Sequence, residues 1–182
     1  MDDFSKLLEA EIPRLRRYAL ALNRTSRSRA DDLVQDTLLR AIAKQHLWQR
    51  GTNLRAWLFT LMHNQSVNDV RRSIREGTTV DADEHCNSLS SMSDPSASLQ
   101  LRDLERALAK LAVEQRQVIL LVGLEGLPYE EVAAILGIPV GTVRSRLSRG
   151  RAMLRVLMGI ADGAVAAVEG RRQASAGQFI AA

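Results

Sequence analysis

Arginines and small hydroxyl side chains are interleaved between residues 142 and 155, in a stretch that carries no opposing charge. Arginine can donate two parallel hydrogen bonds to the edge of a guanine, and it also pairs with phosphates. Hydroxyls such as those of Thr142 and Ser145 can bond a phosphate or a base edge. A solvated basic face is the alternative, but no Asp or Glu occurs from Val132 to Ala161, which favours nucleic-acid binding. The basic side chains are Arg144, Arg146, Arg149, Arg151 and Arg155.

The residues around these arginines have the spacing of a helix–turn–helix, which would hold the arginines in position. A short helix from Tyr129 to Leu136 is predicted to end at Gly137, and Pro139 is predicted to begin the helix that carries the arginines. In that second helix, Val143 and Leu147 are spaced to pack against the first one. The arginines would then face outward.

A second polar cluster lies on a helix predicted from Leu54 to Arg75. Asn64 and Asn68 are four residues apart and therefore share one helix face. The other members of this polar face are Gln65, Arg71, Arg72 and Arg75. The opposite face is predicted to be buried through Leu54, Trp57, Leu58, Leu61, Val70 and Ile74.

Apolar periodicity along the chain predicts an all-α protein of two small helical domains. A bundle of three or four helices is expected over residues 1–76, and the helix–turn–helix domain over residues 99–158. Residues 77–98 lack Lys, Arg and apolar periodicity, which is typical of a flexible, here acidic, linker. Both domains are basic in balance and so indicate a polyanionic partner. Residues 159–182 are predicted to be a partly disordered tail, to which we assign no role.

Two details of these helices are also predicted. The second helix is expected to begin near Arg29, which places Asp31 and Asp32 in its first turn, where negative charge is favourable. In the second domain, Gln115–Leu124 is expected to form one continuous helix, buried because its middle is almost entirely apolar.

Enzymatic function finds no support in the 182 residues. His46, His63 and His85 have no metal-ligand spacing, and the single cysteine, Cys86, cannot form an internal disulfide or a structural zinc site. Phosphate-binding glycine loops and nucleophile motifs are absent from the sequence. We therefore expect no catalytic centre, metal, cofactor or small-molecule substrate. The sequence shows neither a signal-peptide hydrophobic region nor a membrane-spanning apolar run, so a cytoplasmic location is expected.

Three stretches of the chain together resemble one family. GLPYEEVAAILGIPVGTVRSRLSRGRAML, residues 126–154, is similar to the promoter-reading end of bacterial sigma factors of the small two-domain ECF (extracytoplasmic function) class. ADDLVQDTLLRAI, residues 30–42, is similar to that family's core-polymerase-binding helix. GTNLRAWLFTLMHNQSVNDVRR, residues 51–72, resembles its helix for melting and reading the −10 element. The resemblance covers about residues 4–155 and is strongest to alphaproteobacterial members, including the general-stress type.

The resemblance implies contacts to the −10 element in the first domain. In the family, a flipped base of the non-template strand is captured in a loop, which here would be residues 48–53. Such capture requires a stacking wall and amide groups that can bond the base edge. Trp48 can serve as that wall or as a core residue, and both interpretations remain open. The implied −10 residues are Trp48, Arg50, Asn53, Asn64, Asn68, Arg71, Arg72 and Arg75.

Two further surfaces follow from the resemblance. The −35 element would be read by Thr142, Arg144, Ser145, Arg146, Ser148 and Arg149, with Arg151 and Arg155 on the DNA backbone. RNA polymerase core would dock through a coiled coil of its largest subunit on Asp32, Gln35, Asp36, Leu39 and Arg40. For Asp32, a capping role at the helix N-terminus is the alternative.

The function implied is a sigma factor that binds polymerase core and directs promoter recognition, DNA melting and initiation at stress-responsive genes. An anti-sigma factor, soluble or membrane-bound, would be its inhibitor. One alternative is a sigma-like decoy that sequesters an anti-sigma factor, although known decoys are fused to a receiver domain. Another is a simple helix–turn–helix repressor, which would not require the polymerase-binding helix.

Overall fold

The computed structural model describes residues 3–23, 26–76 and 95–160, and its regular structure over these ranges is helical throughout. The predicted all-α class is therefore confirmed. Most of the predicted linker and nearly all of the predicted tail lie outside the described residues. The helices are α1 (Asp3–Leu22), α2 (Arg27–Ala43), α3 (Leu54–Glu76), α4 (Pro95–Ala109), α5 (Val113–Ile119), α6 (Tyr129–Leu136) and α7 (Val140–Leu157). A short 3₁₀ turn, Gln45–Leu47, follows α2, and a π-helical turn, Leu120–Leu124, follows α5.

The first domain is a bundle in which α1, α2 and α3 pack around an aliphatic and aromatic core. Tyr18 and Phe59 meet edge to face with ring centroids 5.0 Å apart, and both are buried. Helix α2 begins at Arg27, because the Ser26 hydroxyl accepts a hydrogen bond from the Arg29 N–H. The prediction that Asp31 and Asp32 lie in the first turn was therefore wrong.

The C-terminal half of α3 departs from the predicted burial. Leu58 and Met62 are fully buried, whereas Val70 is 56% and Ile74 is 74% exposed. Periodicity predicted an apolar face correctly but not that the second half of this face would lie uncovered by the described residues.

In the second domain, α5 and α7 pack closely. Gly150 of α7 is buried, and a Cβ built on it would lie 2.6 Å from Ile119 Cδ1 and 3.3 Å from Gln115 Cβ. Helical structure continues to Leu124, the predicted end, but α5 itself ends at Ile119 and the remaining residues form the π-helical turn. After this turn the Glu125 N–H bonds the Leu120 carbonyl.

The helix–turn–helix has the predicted boundaries. Gly137 ends α6 with φ of +63°, a left-handed conformation that glycine adopts without strain. The following Ile138 N–H bonds the Ala133 carbonyl at 3.0 Å, which satisfies the end of α6, and Pro139 then leads into α7. Val143 and Leu147 are buried, as predicted.

The two domains are in contact. Helix α3 packs on α6, and α1 packs on α5 and the π-helical turn. None of the helices in the described ranges combines the length and the apolar character that crossing a membrane requires.

Candidate nucleic-acid interface

Helix α7 presents a polar face opposite its buried residues. Four of the six predicted −35 residues are exposed on it, namely Arg144, Ser145, Ser148 and Arg149. The Ser145 hydroxyl donates to the Thr142 carbonyl at 3.0 Å, and Arg149 Nε donates to the Ser145 carbonyl at 3.3 Å. These bonds fold both side chains along the helix surface, in a position from which each can turn outward to an acceptor on DNA.

The other two predicted −35 residues lie at the border of this face. Thr142 and Arg146 are half-buried, as are Arg151 and Arg155 further along α7. Arg146 directly precedes the buried Leu147 and lies near the face that packs on the domain. The exposed arginines of this face are therefore Arg144 and Arg149, whereas Arg146 is half-buried.

A second exposed face runs along α3. Asn64 and Asn68 are exposed one turn apart, as the spacing predicted. Arg71, Arg72 and Arg75 are also exposed on the last turns of the helix, and Arg75 Nε donates to the Arg71 carbonyl at 3.4 Å. Amide groups that can bond base edges are thus followed by cations that can hold phosphates.

The loop before α3 holds the remaining predicted −10 residues. Arg50 is exposed. The half-buried Trp48 ring packs on Phe4 of α1, with centroids 5.6 Å apart, and its buried Nε1 has no hydrogen-bond partner among the described residues. Trp48 therefore contributes to the packing of the first domain in this structure.

Asn53 has two partners that the sequence analysis did not predict. Its Oδ1 accepts a hydrogen bond from the Ala56 N–H at 3.2 Å and so caps α3. Its Nδ2 donates to Glu131 Oε2 of α6 at 2.8 Å. The cap has a sequence signal, an Asn directly before the predicted helix. The contact with Glu131 has none, because it depends on how the two domains meet.

The predicted polymerase-binding residues share one exposed surface of α2. Asp32, Gln35, Asp36, Leu39 and Arg40 are all exposed, and Leu39 is exposed by 65%. The buried Gln65 of α3 ties this surface to the bundle, since its Nε2 donates to Asp36 Oδ2 at 3.2 Å and to Asp69 Oδ1 at 2.9 Å. Burial, and then the negative charge of Asp36, raises the pKa of Asp69.

A groove of about 610 Å³ adjoins this surface and is lined by both domains. Asp32 and Asp36 contribute carboxylates, and the exposed Val70 and Ile74 contribute apolar area. Its second-domain wall includes Arg116, which donates to the carbonyls that end α4 and, at 3.2 Å, to the Leu22 carbonyl that ends α1. The groove could accommodate a partner segment that combines apolar and basic side chains.

Sequence reasoning also missed a buried carboxylate. Glu125 has a fully buried side chain, and Arg17 donates to its Oε1 from Nε at 3.2 Å and from Nη2 at 2.8 Å. Glutamate is rarely buried without a partner. The residues around Glu125 in the sequence do not indicate that its partner lies in the other domain.

The comparisons with known proteins concern both domains. Residues 101–154 match the family described as Sigma-70, region 4. Residues 8–63 match the Sigma2 domain of PhyR. PhyR of Bartonella quintana, solved in complex with the anti-sigma factor NepR, is called an anti-anti-sigma factor. The chain is 43% identical over 155 residues to the ECF RNA polymerase sigma factor EcfG of Rhodopseudomonas palustris, covering 85% of this chain and 84% of that relative.

Solved structures also match. The sigma factor RpoE, solved in complex with the anti-sigma factor NepR from Bartonella quintana, is 39% identical with a TM-score of 0.75, over 88% of this chain and 99% of that one. CnrH, solved in complex with the cytosolic domain of CnrY, is 28% identical with a TM-score of 0.61, over 86% of this chain and 87% of that one.

Proposed function

Since the chain belongs to the ECF family of RNA polymerase sigma factors, we propose that it binds polymerase core and directs initiation at promoters with two short elements. The observation that carries this proposal is the pairing, in one chain, of two exposed surfaces whose side chains can bind DNA, the amide and arginine face of α3 and the arginine and serine face of α7. It acts where polymerase acts, in the cytoplasm, and contributes specificity without a catalytic centre of its own.

The −35 element is assigned to α7. Its exposed Arg144 and Arg149 can each form a bidentate pair with a guanine, and Ser145 and Ser148 lie between them. Arg146, Thr142, Arg151 and Arg155 flank this centre and are placed to contact phosphates.

The −10 element is assigned to α3 and the loop before it. The exposed Asn64 and Asn68 can bond the edges of unpaired bases, while Arg71, Arg72 and Arg75 hold the strand. Trp48, Arg50 and Asn53 form the base-capturing loop, for which Asn53 must exchange its bond to Glu131 for one to a base.

Polymerase core is assigned to the exposed surface of α2. Leu39 supplies an exposed apolar side chain, surrounded by Asp32, Gln35, Asp36 and Arg40. An apolar contact with a polar rim is the usual anatomy of a specific protein interface. We place the docking coiled coil of the largest subunit here.

An anti-sigma factor is the proposed inhibitor. The relative of known structure that is 39% identical was solved with NepR, and the groove beside α2 is lined by both domains, as an inhibitor that clasps both would require. We propose a small soluble inhibitor and genes of the general stress response as targets.

A decoy that occupies an anti-sigma factor is the second candidate, because residues 8–63 match the Sigma2 domain of PhyR. A decoy has no need of DNA-reading side chains. The exposed Arg144, Arg149, Asn64 and Asn68 therefore favour the sigma factor.

The test is selection of promoters by core polymerase with variant chains. Asn64→Ala should relax base preference in the −10 element only, and Arg149→Ala in the −35 element only, each by about 1–3 kcal/mol at one position. Arg102→Ala, which removes an exposed arginine of α4, is the matched control and should preserve both preferences. Loss of neither preference in the first two variants would contradict the assignment.

A further inference from the structure

The contact between the domains includes one buried carboxylate. Glu125, directly after the π-helical turn, has no exposed side-chain surface. Arg17 of α1 holds its Oε1 with two hydrogen bonds, and Arg14 Nη1 lies 3.9 Å from Oε2. Both arginines belong to the first domain and Glu125 to the second. The pair thus joins elements 108 residues apart in the chain.

An ion pair with a buried carboxylate suits an interface that opens better than one that stays closed. A permanent interface gains more from apolar packing, because taking a charge out of water is costly. When the domains separate, however, the two charged side chains return to water and regain their hydration. Arg17, whose side chain is 43% exposed, already lies at the edge of the contact.

In the same closed arrangement, one residue of the proposed −10 loop is bonded to the second domain. Asn53 Nδ2 donates to Glu131 Oε2, so the amide that would bond a base is held by a carboxylate of α6. That carboxylate also places negative charge beside the loop, where it repels DNA phosphates. Closure therefore occupies one donor of Asn53 and holds α6 against the loop that would receive the base.

We propose that Arg17 and Glu125 form a latch that holds the free chain closed and keeps Asn53 from DNA until polymerase core and promoter separate the domains. The latch is an autoinhibitory contact, and its role in initiation rests on the proposed function. In a chain that is mostly closed, only the open fraction can bind core. The apparent dissociation constant is then the intrinsic one divided by that open fraction. Weakening the latch should therefore tighten core binding.

The first experiment measures the distance between the domains in the free chain. Spin labels are attached at Ala10→Cys in α1 and Ala152→Cys in α7, both exposed positions, in a Cys86→Ser background. The latched chain should give one narrow distance distribution by pulsed electron resonance. Arg17→Gln and Glu125→Gln should each shift at least half of the population to longer distances.

The double variant and a control sharpen the result. Because both single variants break the contact between Arg17 and Glu125, Arg17→Gln combined with Glu125→Gln should open the chain no further than Glu125→Gln alone. Asp31→Asn removes a different ion pair of α1, that of Arg16 with Asp31 at 3.1 Å, and should leave the distribution narrow. Should Glu125→Gln unfold the second domain, Arg17→Gln tests the same contact from an exposed position.

Binding of purified core gives the second readout, for which Arg17→Gln should lower the dissociation constant about threefold or more. Unchanged distances in both single variants, additive effects in the double variant, or equal opening by Asp31→Asn would each overturn the latch. The distances are measured without polymerase. An opened chain that starts no transcription therefore refutes only the proposed function, and a transcribing chain with unchanged distances refutes only the latch.

Discussion

At the scale of single residues, burial sets the behaviour of His63. The half-buried imidazole has a buried Nδ1 without a hydrogen-bond partner among the described residues, and burial lowers its pKa from the ordinary 6.5. The unfolded chain then binds the proton more readily than the folded one. Stability is therefore highest above pH 6.5 and is lost as pH falls through the lowered pKa.

His63→Leu should flatten this dependence. We expect the free energy of unfolding of the unmodified chain to fall by less than about 1 kcal/mol between pH 7 and pH 5, since the ring is partly exposed. Denaturant unfolding at a series of pH values measures the slope. His46→Asn, at an exposed histidine, should retain the slope, and an equal slope in His63→Leu would refute the assignment.

Substitution of Leu39 tests most directly whether polymerase core docks on the exposed surface of α2. Its side chain is 65% exposed, so Leu39→Asp should change stability by no more than about 0.5 kcal/mol. Affinity for core should nevertheless fall at least about tenfold, because a charge would be buried in an apolar contact. Leu99→Asp replaces a leucine of α4 that is 60% exposed and should bind core normally. Similar affinity of both variants for core would show that polymerase core docks on a surface other than that of Leu39.

At the scale of elements, the close approach of α5 and α7 depends on Gly150. Gly150→Ala would gain about 1 kcal/mol of helix propensity but force Ile119 and Gln115 to shift, at a cost of about 1–3 kcal/mol. We therefore expect a net loss of about 1 kcal/mol in thermal or denaturant unfolding. Gly141→Ala, in the same helix with open space around it, should be neutral or stabilising. A stabilising Gly150→Ala would show that the Ile119 and Gln115 side chains can move aside at little cost.

Element boundaries were predictable where the backbone chemistry is local. Gly137 and Pro139 mark the turn between α6 and α7, and the structure has those boundaries. The break of α5 into a π-helical turn has no such signal, because the residues 115–124 are compatible with a continuous helix. The prediction that Val70 and Ile74 are buried was wrong for a different reason. Periodicity indicates that a helix has an apolar face but not whether another element covers that face.

At the scale of the whole molecule, the sequence predicted the two domains' helices but not their contact. Arg17 and Glu125 carry opposite charge, yet so do many pairs in a chain with 25 basic and 21 acidic residues. Only the fold selects this pair. The same holds for Asn53 and Glu131, which lie 78 residues apart. The exposure of Asn64 and Asn68 on α3 and of Arg144 and Arg149 on α7, in contrast, could be predicted, because it depends on the spacing within a single helix.

The proposed role of the chain is to direct initiation by polymerase core. The most direct measurement is transcription in vitro by purified core on a pool of promoters with randomised elements, with and without the protein. We predict enriched start sites that share two short elements upstream. Initiation no higher than with core alone, by a folded chain that binds core, would contradict the account and favour the decoy.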